Sequence, residues 1–312
     1  MEYSKNNSRI VYMGTPEISA VALRGLIDEG FNIVAVITNP DKPVGRKGIL
    51  TPSPVKEVAL AHGIPVFQPA KIRLDYEFLK ELKPDVIVTL AYGQIVPQGV
   101  LDIPVRGCVN LHGSLLPELR GAAPIQRAID LGKSLTGITL MEMVAAMDAG
   151  KMFDKTEVSI SSEDNYTSLC DKLALAAKEL ILKDLLPYLN GLLPGVPQDE
   201  SQVTFAAKIT PEDEHLDFSW NSERLLNHIR ALSYTPGGYG LLNGEKFKVF
   251  KAHAVTMAKG KPGEIVCAKK GVFVSTGDGV LSLDEVQLQG KKMTDGKSFA
   301  NGYRDLEGRL LA

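Results

Sequence analysis

The chain has 312 residues and a mass of 33.8 kDa, and at about 150 residues per domain this length predicts two domains. Hydrophobic residues make up 44% and charged residues 23%, an ordinary globular balance that excludes global disorder. The net charge of −2 excludes a polybasic protein, although it does not exclude a local basic face.

The chain carries three cysteines, an odd number, and they lie far apart: Cys108, Cys170 and Cys267. This usage indicates a reducing compartment and provides none of the paired spacings that hold zinc. No apolar run reaches the roughly 18–20 residues of a membrane span, and the polar residues 1–7 do not resemble a signal peptide. We therefore expect an intracellular protein.

Short β-rich runs alternate with helical stretches over the first half of the chain. After a buried strand at 9–13, Thr15 is expected to cap a helix whose first turn holds Pro16. Further strands are predicted at 31–37, 65–67, 85–89 and 107–111. Strands separated by helices predict a mostly parallel, Rossmann-like sheet, whose ligands lie beyond the carboxyl ends of its strands.

The pattern changes in the second half. Two strands, 137–142 and 155–160, flank a loop, and residues 161–163 offer caps for a long amphipathic helix after them. A helix at 222–231 then precedes five short β-runs, which predict a small OB-like barrel: 239–242, 246–251, 263–267, 271–275 and 279–283. Residues 191–207 are rich in proline, glycine and polar residues and are predicted to link a domain at 1–190 to one at 208–312.

Several common enzyme motifs are missing. Gly14-Thr15-Pro16 lacks the later glycines of a G-x-G-x-x-G fingerprint, so a nicotinamide enzyme is not favoured despite the predicted sheet. The sequence also has no Walker-A lysine, no G-x-S-x-G turn and no H-E-x-x-H pair.

Asn110 and His112 stand two residues apart at the end of a predicted strand, so their side chains project to the same side. An amide donor beside an imidazole suits a carbonyl substrate: Asn110 can donate to a developing oxyanion, and His112 can move a proton or add a second donor. The alternative is that His112 is a hydrogen-bonded histidine with no chemical role.

Asp148 lies in the loop between the strands predicted at 137–142 and 155–160. A carboxylate beside His112 would select the imidazole tautomer and help to order a water. The alternative is that Asp148 only opens a turn before Gly150.

Two stretches of the chain are basic although the net charge of the whole chain is close to zero. The loop at 39–48 carries Lys42, Arg46 and Lys47, and residues 246–297 hold ten lysines against five acidic residues. Both could bind a phosphate-bearing partner such as nucleic acid. The alternatives are an ordinary exposed loop and scattered solubilising lysines.

A set of distinct short motifs lies along nearly the whole chain: Met13-Gly-Thr-Pro16, Asp41-Lys-Pro-Val-Gly-Arg46, Pro52-Ser-Pro-Val-Lys56, Asn110-Leu-His-Gly-Ser-Leu-Leu-Pro117, Arg120-Gly-Ala-Ala-Pro-Ile-Gln126, Met147-Asp-Ala-Gly150, Lys208-Ile-Thr210, Trp220 and Gln289-Gly-Lys-Lys292. In this combination the chain closely resembles the methionyl-tRNA formyltransferase family. Asn110, His112 and Asp148 alone would specify only the broader group of formyltetrahydrofolate hydrolases and transferases. The run at 120–126, the basic loop and the second domain point to the tRNA-acting members.

The resemblance implies transfer of the formyl group of 10-formyltetrahydrofolate, a co-substrate, to the α-amino group of methionine on initiator methionyl-tRNA, for translation initiation in the bacterial cytosol. It implies neither metal nor nicotinamide, and we expect a monomer. The implied catalytic residues are Asn110, His112 and Asp148. Folate contacts are expected from Leu90, Tyr92, Ser114, Leu115, Leu116 and Pro117. Contacts with tRNA are expected from Lys42, Arg46, Lys47 and Lys208.

One segment departs from the family pattern. The family usually has Leu-Asp-Thr-Gly where this chain has Met147-Asp-Ala-Gly150, preceded by Val144-Ala-Ala146. The aspartate and the glycine are kept, so the role of Asp148 is expected to be kept while the neighbouring loop differs.

We expect the unprotonated methionyl amine to attack the formyl carbon directly, without a covalent enzyme intermediate. Asn110 and His112 would stabilise the oxyanion, and Asp148 would orient His112 and a water that relays the proton. Cys108 shares the face of Asn110 but trails it by about 6.6 Å, so we expect an inert buried thiol. The alternatives are a formyltransferase for an amino sugar nucleotide or a purine precursor, and a non-catalytic RNA-binding module.

Overall fold

The computed structural model describes residues 2–45, 48–303 and 305–312. The chain divides into two compact units. The N-terminal unit comprises Met1–Pro124, Leu135–Ser159 and Cys170–Ala206, and the C-terminal unit comprises Ile125–Ser134, Ile160–Leu169 and Ala207–Ala312. Two short segments that precede residue 207 therefore pack with the C-terminal unit.

A seven-stranded sheet forms the centre of the N-terminal unit. Its strands are β1 Ile10–Gly14, β2 Ile33–Ile37, β5 Val66–Phe67, β6 Val86–Leu90, β7 Cys108–His112, β8 Leu135–Glu142 and β9 Met152–Ser159. They lie in the order β5-β2-β1-β6-β7-β8-β9. The first five strands in this order run parallel, whereas β8 and β9 are antiparallel to their neighbours. The predicted Rossmann-like, mostly parallel sheet is thus confirmed.

Strand order reverses between β1 and β6. The chain moves outward from β1 through β2 to β5 and then returns to the other side of β1 with β6 and β7. Every residue of β1 and β6 is buried, as expected for strands covered on both faces. Because ligands bind at such switch points, the carboxyl ends of β1, β6 and β7 mark the edge where a site is expected.

A separate hairpin, β3 Lys42–Val44 and β4 Ile49–Thr51, begins in the predicted loop at 39–48 and ends beyond it. The helices up to residue 189 are α1 Glu17–Asp28, α2 Pro54–Ala61, α3 Phe78–Leu82, α4 Gln98–Leu101, α5 Pro124–Asp130 and α6 Tyr166–Leu189.

Two capping predictions are wrong. Pro16 is the N-cap of α1, and the Thr15 hydroxyl instead donates to the main-chain oxygen of Tyr92 at 3.0 Å. Helix α6 begins after 161–163, where Asn165 Oδ1 accepts from the Ser168 N–H at 3.0 Å. The Thr15 hydroxyl bonds a residue that is distant in the sequence, and a capping rule that uses only neighbouring residues does not predict such a bond.

The elements of the C-terminal unit after residue 207 are α7 Ser222–Leu232, β10 Gly238–Leu242, β11 Glu245–Val255, β12 Ile265–Cys267, β13 Val272–Ser275, β14 Val280–Leu288, β15 Thr294–Asp295 and α8 Gly296–Gly302. The strands form an antiparallel sheet in the order β10-β11-β14-β13-β12, with β15 paired to β14. Residues 309–312 bridge its two edge strands, since Leu241 of β10 donates to Ala312 at 2.7 Å and Ile265 of β12 donates to Arg309 at 2.9 Å. The predicted small β domain is therefore confirmed as a curled sheet.

Within the described parts of the chain, none of the helices combines the length and the apolar character that crossing a membrane requires.

Candidate active site

Asn110 lies on β7 at the carboxyl edge of the sheet, paired in register with Thr89 of β6. The Thr89 hydroxyl donates to Asn110 Oδ1 at 2.8 Å. Since this bond fixes the side-chain oxygen, the Nδ2 amide group is left as the donor that Asn110 can present to a ligand. Thr89 is a contact that sequence analysis did not identify, although it ends the neighbouring predicted strand.

The His112 ring is buried, with 5% of the residue exposed. Its Nε2 lies 2.9 Å from the carbonyl oxygen of Leu119. A carbonyl can only accept, so Nε2 carries a proton, and the tautomer is set by this main-chain group. The other ring nitrogen, Nδ1, lies 3.7 Å from Asp148 Oδ2. The structure thus brings His112 and Asp148 together without a direct hydrogen bond between them.

Asp148 has a left-handed φ of 49°, which is unusual for a residue other than glycine. Its Oδ2 accepts from the Gly121 N–H at 2.8 Å. Two residues on, a Cβ added to Gly150 would lie 1.9 Å from the Glu142 carbonyl oxygen, so only glycine fits there. The loop therefore turns tightly against the end of β8 and holds the carboxylate next to His112.

The expected folate residues differ in their exposure. Ser114 and Leu116 are buried and support the loop after β7: the Ser114 hydroxyl donates to the Glu118 carbonyl at 2.6 Å, and Thr139 bonds both residues from β8. Leu90 and Tyr92 are also buried, and burial raises the pKa of Tyr92 to about 12. Leu115 and Pro117 are half-buried.

A cavity of about 360 Å³ is lined by Arg106, Gly107 and Cys108 at the start of β7, two residues before Asn110. Its walls include Leu101, Cys108, Met143 and Val144, and the last two lead into the Asp148 loop. Burial raises the pKa of the Cys108 thiol to about 12, so the thiol is protonated at neutral pH and is not a nucleophile. No cluster of three metal-ligating side chains occurs in the stretches of chain that the structure describes.

The expected tRNA residues lie apart from one another in the sequence. Lys42 is exposed at the start of β3, and Lys208 is exposed in the C-terminal unit. Arg46 and Lys47 lie outside the described residues. At the base of the hairpin, Lys56 Nζ lies 2.7 Å from an Asp41 carboxylate oxygen and 2.8 Å from Gln68 Oε1, so the hairpin is tied to the end of β5.

Gln198 is a residue that the sequence analysis missed. Its amide nitrogen donates to the main-chain oxygens of Asp148 and Gly150 at 2.7 and 2.8 Å. The surrounding sequence is rich in proline, glycine and polar residues, and nothing in it marks one glutamine as buried.

Comparisons with known proteins agree on one family. A family model described as "Formyl transferase" matches residues 8–185, and one described as "Formyl transferase, C-terminal domain" matches residues 208–304. Methionyl-tRNA formyltransferase of Bacillus subtilis (strain 168) is 47% identical over 309 residues, which cover 97% of this chain and 98% of the relative. The enzyme of the same name from Bacillus pumilus (strain SAFR-032) is 48% identical over 311 residues, again covering 97% and 98%.

Solved structures share the fold at lower identity. HypX from Aquifex aeolicus in complex with tetrahydrofolic acid superposes on this chain with a TM-score of 0.68 at 18% sequence identity. The superposition covers 97% of this chain and 51% of the HypX chain. Methionyl-tRNA formyltransferase from Clostridium thermocellum gives a TM-score of 0.57 at 17% identity over 80% of this chain and 94% of that chain.

Proposed function

The chain belongs to the methionyl-tRNA formyltransferase family, and on that premise we propose which residues carry out its reaction. The reaction is the transfer of the formyl group of 10-formyltetrahydrofolate to the α-amino group of methionine on initiator methionyl-tRNA, for translation initiation. The observation that carries the proposal is the convergence of Asn110, His112 and Asp148 at the carboxyl edge of the sheet, with 3.7 Å between the last two.

Asn110 is the oxyanion donor. The methionyl amine attacks the formyl carbon, a new carbon–nitrogen bond forms, and the bond from the formyl carbon to the folate nitrogen then breaks. Negative charge grows on the formyl oxygen during the attack, and a donor fixed in advance stabilises that charge without reorganising. The Thr89 hydroxyl, 2.8 Å from Asn110 Oδ1, supplies this fixed orientation.

His112 and Asp148 stabilise charge and take part in proton transfer. Nε2–H of His112 is occupied by the Leu119 carbonyl, which leaves Nδ1 as the ring nitrogen that can exchange a proton. The carboxylate of Asp148, 3.7 Å from Nδ1, stabilises an imidazolium there. It also orients a water that relays the proton lost by the amine to the folate nitrogen, so that the folate leaves as tetrahydrofolate.

We assign the pterin ring of the folate to the cavity of about 360 Å³, a volume within the usual range of small-ligand pockets. Met143 lines this cavity, and its Sδ lies 3.1 Å from the Thr89 hydroxyl that orients Asn110. The cavity and the oxyanion donor are therefore neighbours. Leu115 and Pro117 contact the folate from the loop after β7, and the buried residues Leu90, Tyr92, Ser114 and Leu116 complete its binding site.

The tRNA is bound by the β3–β4 hairpin and the C-terminal unit. Lys42, Arg46 and Lys47 of the basic stretch 39–48 contact the tRNA, with Arg46 at the end of the acceptor stem, and Lys208 with the lysine-rich stretch 246–297 binds phosphates. The hydrogen bonds among Asp41, Lys56 and Gln68 support a role of the hairpin in tRNA binding, since they fix the base of the hairpin beside the end of β5.

We accordingly assign catalysis and folate binding to residues 1–190, tRNA binding to residues 208–312, and the connection between them to residues 191–207.

The assay that tests the function uses initiator methionyl-tRNA and 10-formyltetrahydrofolate, with elongator methionyl-tRNA as the comparison. Formylation of the initiator tRNA, inhibited steeply by salt, is expected. Transfer to an amino sugar nucleotide with no transfer to tRNA would contradict the assignment.

The chain works as a cytoplasmic monomer. Light scattering checks the oligomeric state and is expected to give the mass of a single chain, 33.8 kDa.

A further inference from the structure

The side chain of Gln198 makes three hydrogen bonds, two to one loop and one to an arginine. Its nitrogen donates to the main-chain oxygens of Asp148 and Gly150, and its Oε1 accepts from Arg120 Nε at 3.0 Å. Only 9% of Gln198 is exposed. An amide flipped by 180° would turn its oxygen toward two carbonyls and its N–H groups toward an arginine N–H, so a single orientation is allowed.

Arg120 is itself fixed from several directions. It is buried, and its guanidinium reaches both carboxylate oxygens of Glu200 at 2.8 and 3.3 Å. Its main-chain N–H donates to the Thr204 carbonyl at 2.9 Å, and its carbonyl accepts from Ala206 at 2.7 Å. The segment 198–206, which we name the brace, is therefore bonded along its length to the loop that carries Arg120.

The brace reaches both members of the His112–Asp148 pair. Thr204 Oγ1 accepts from the Leu119 N–H at 2.9 Å, and the Leu119 carbonyl holds His112. Two residues further, Gly121 N–H holds the Asp148 carboxylate, while Gln198 holds the main chain on both sides of Ala149. A left-handed Asp148 needs such support, because an isolated loop would relax from this conformation.

We propose that Gln198 is a positioning residue that fixes the Asp148 carboxylate against His112 for formyl transfer. The proposal rests on the catalytic role assigned to Asp148 above. Gln198 touches no reacting atom in the proposed mechanism; it acts through the main chain of residues 148–150. Since misplacing a catalytic group by about 1 Å can cost on the order of 10²-fold in rate, loss of this support is expected to appear in the chemical step.

The test measures the single-turnover rate of formyl transfer with enzyme in excess over initiator methionyl-tRNA. Gln198→Leu removes all three hydrogen bonds and is expected to slow transfer about 10²-fold while the Kd for tRNA stays unchanged. Gln198→Glu keeps an oxygen for Arg120 but has no N–H to donate, so it is expected to be similarly slow even if Gln198→Leu folds poorly. Gln202→Leu makes the same change at an exposed position of the same segment and is expected to match the wild type.

A double mutant separates positioning from general support of the fold. If Gln198 acts through Asp148, then Asp148→Ala combined with Gln198→Leu is no slower than Asp148→Ala alone. Hydrogen exchange over residues 143–150 is expected to accelerate in Gln198→Leu and not in Gln202→Leu.

A folded Gln198→Leu or Gln198→Glu variant that transfers formyl within twofold of the wild-type rate overturns the positioning role. The positioning role is also overturned if Gln198→Leu slows the Asp148→Ala enzyme by as large a factor as it slows the wild type. A wild-type rate in Asp148→Ala would instead refute the catalytic role of Asp148, and the positioning role with it, so the two failures are distinguishable.

Discussion

Nδ1 of His112 lies 3.7 Å from Oδ2 of Asp148, beyond direct hydrogen-bond length, and each side chain is anchored by a main-chain group of the same short loop. The Leu119 carbonyl holds the imidazole, and the Gly121 N–H holds the carboxylate. Because these anchors are two residues apart, the loop sets the spacing of the pair. The two side chains are therefore held close together without a direct hydrogen bond between them.

Arg46→Ala is expected to lower kcat/KM for initiator methionyl-tRNA while the Kd for tetrahydrofolate stays unchanged. If Arg46 neutralises one phosphate, the slope of log(kcat/KM) against log salt becomes shallower by about one. Arg73→Ala, at an exposed arginine of the N-terminal unit, is the control and should leave both quantities unchanged. An unchanged kcat/KM in Arg46→Ala would refute the role of the hairpin.

Val144→Trp is expected to weaken tetrahydrofolate binding at least tenfold, because the indole enlarges a side chain that lines the cavity assigned to the pterin. The Kd for tetrahydrofolate, measured by calorimetry, checks this. Val105→Trp makes the same change at a position that is 76% exposed, so its Kd should match the wild type. Equal affinities in the two variants would argue that the pterin binds elsewhere.

Asp184→Asn is expected to stabilise the protein at neutral pH. Burial, together with a hydrogen bond to Asp154, raises the pKa of Asp184 to about 6. The carboxyl group therefore stabilises the fold fully below its unfolded pKa of about 4, and this contribution is lost as the pH rises through about 6. Asparagine does not ionise, so the free energy of unfolding of the variant relative to wild type should rise from pH 4 to pH 7 by roughly 2 kcal/mol.

Denaturant titrations at the two pH values measure that difference. Glu179→Gln removes an exposed carboxylate from the same helix and should show little pH-dependent gain. A flat difference between pH 4 and pH 7 in Asp184→Asn would contradict the assignment of this carboxyl group.

The sheet could be predicted from the sequence because its strands are continuous apolar runs, such as Ile10–Gly14, broken by glycine and proline. Asn110 and His112 could be placed at the ligand edge because a strand has a period of two and the edge follows from strand order. These inferences need only local pattern and topology.

The supports of the site could not be predicted in the same way. Gln198 reaches Asp148 across fifty residues, and Thr204 reaches Leu119 across 85. Contacts between irregular segments depend on how those segments are placed in three dimensions, and local sequence carries no periodic signal for them. The β3–β4 hairpin was missed for a different reason, since strands of three residues are too short to show alternation.

The rate of formyl transfer in a single turnover by Asn110→Ala tests the central claim most directly. Loss of a fixed oxyanion donor is expected to slow transfer about 10²–10³-fold, with the Kd for tetrahydrofolate and for tRNA close to wild type. Asn6→Ala, at an exposed asparagine, serves as the matched control. A folded Asn110→Ala enzyme that transfers formyl to initiator methionyl-tRNA within threefold of the wild-type rate would contradict the proposed site.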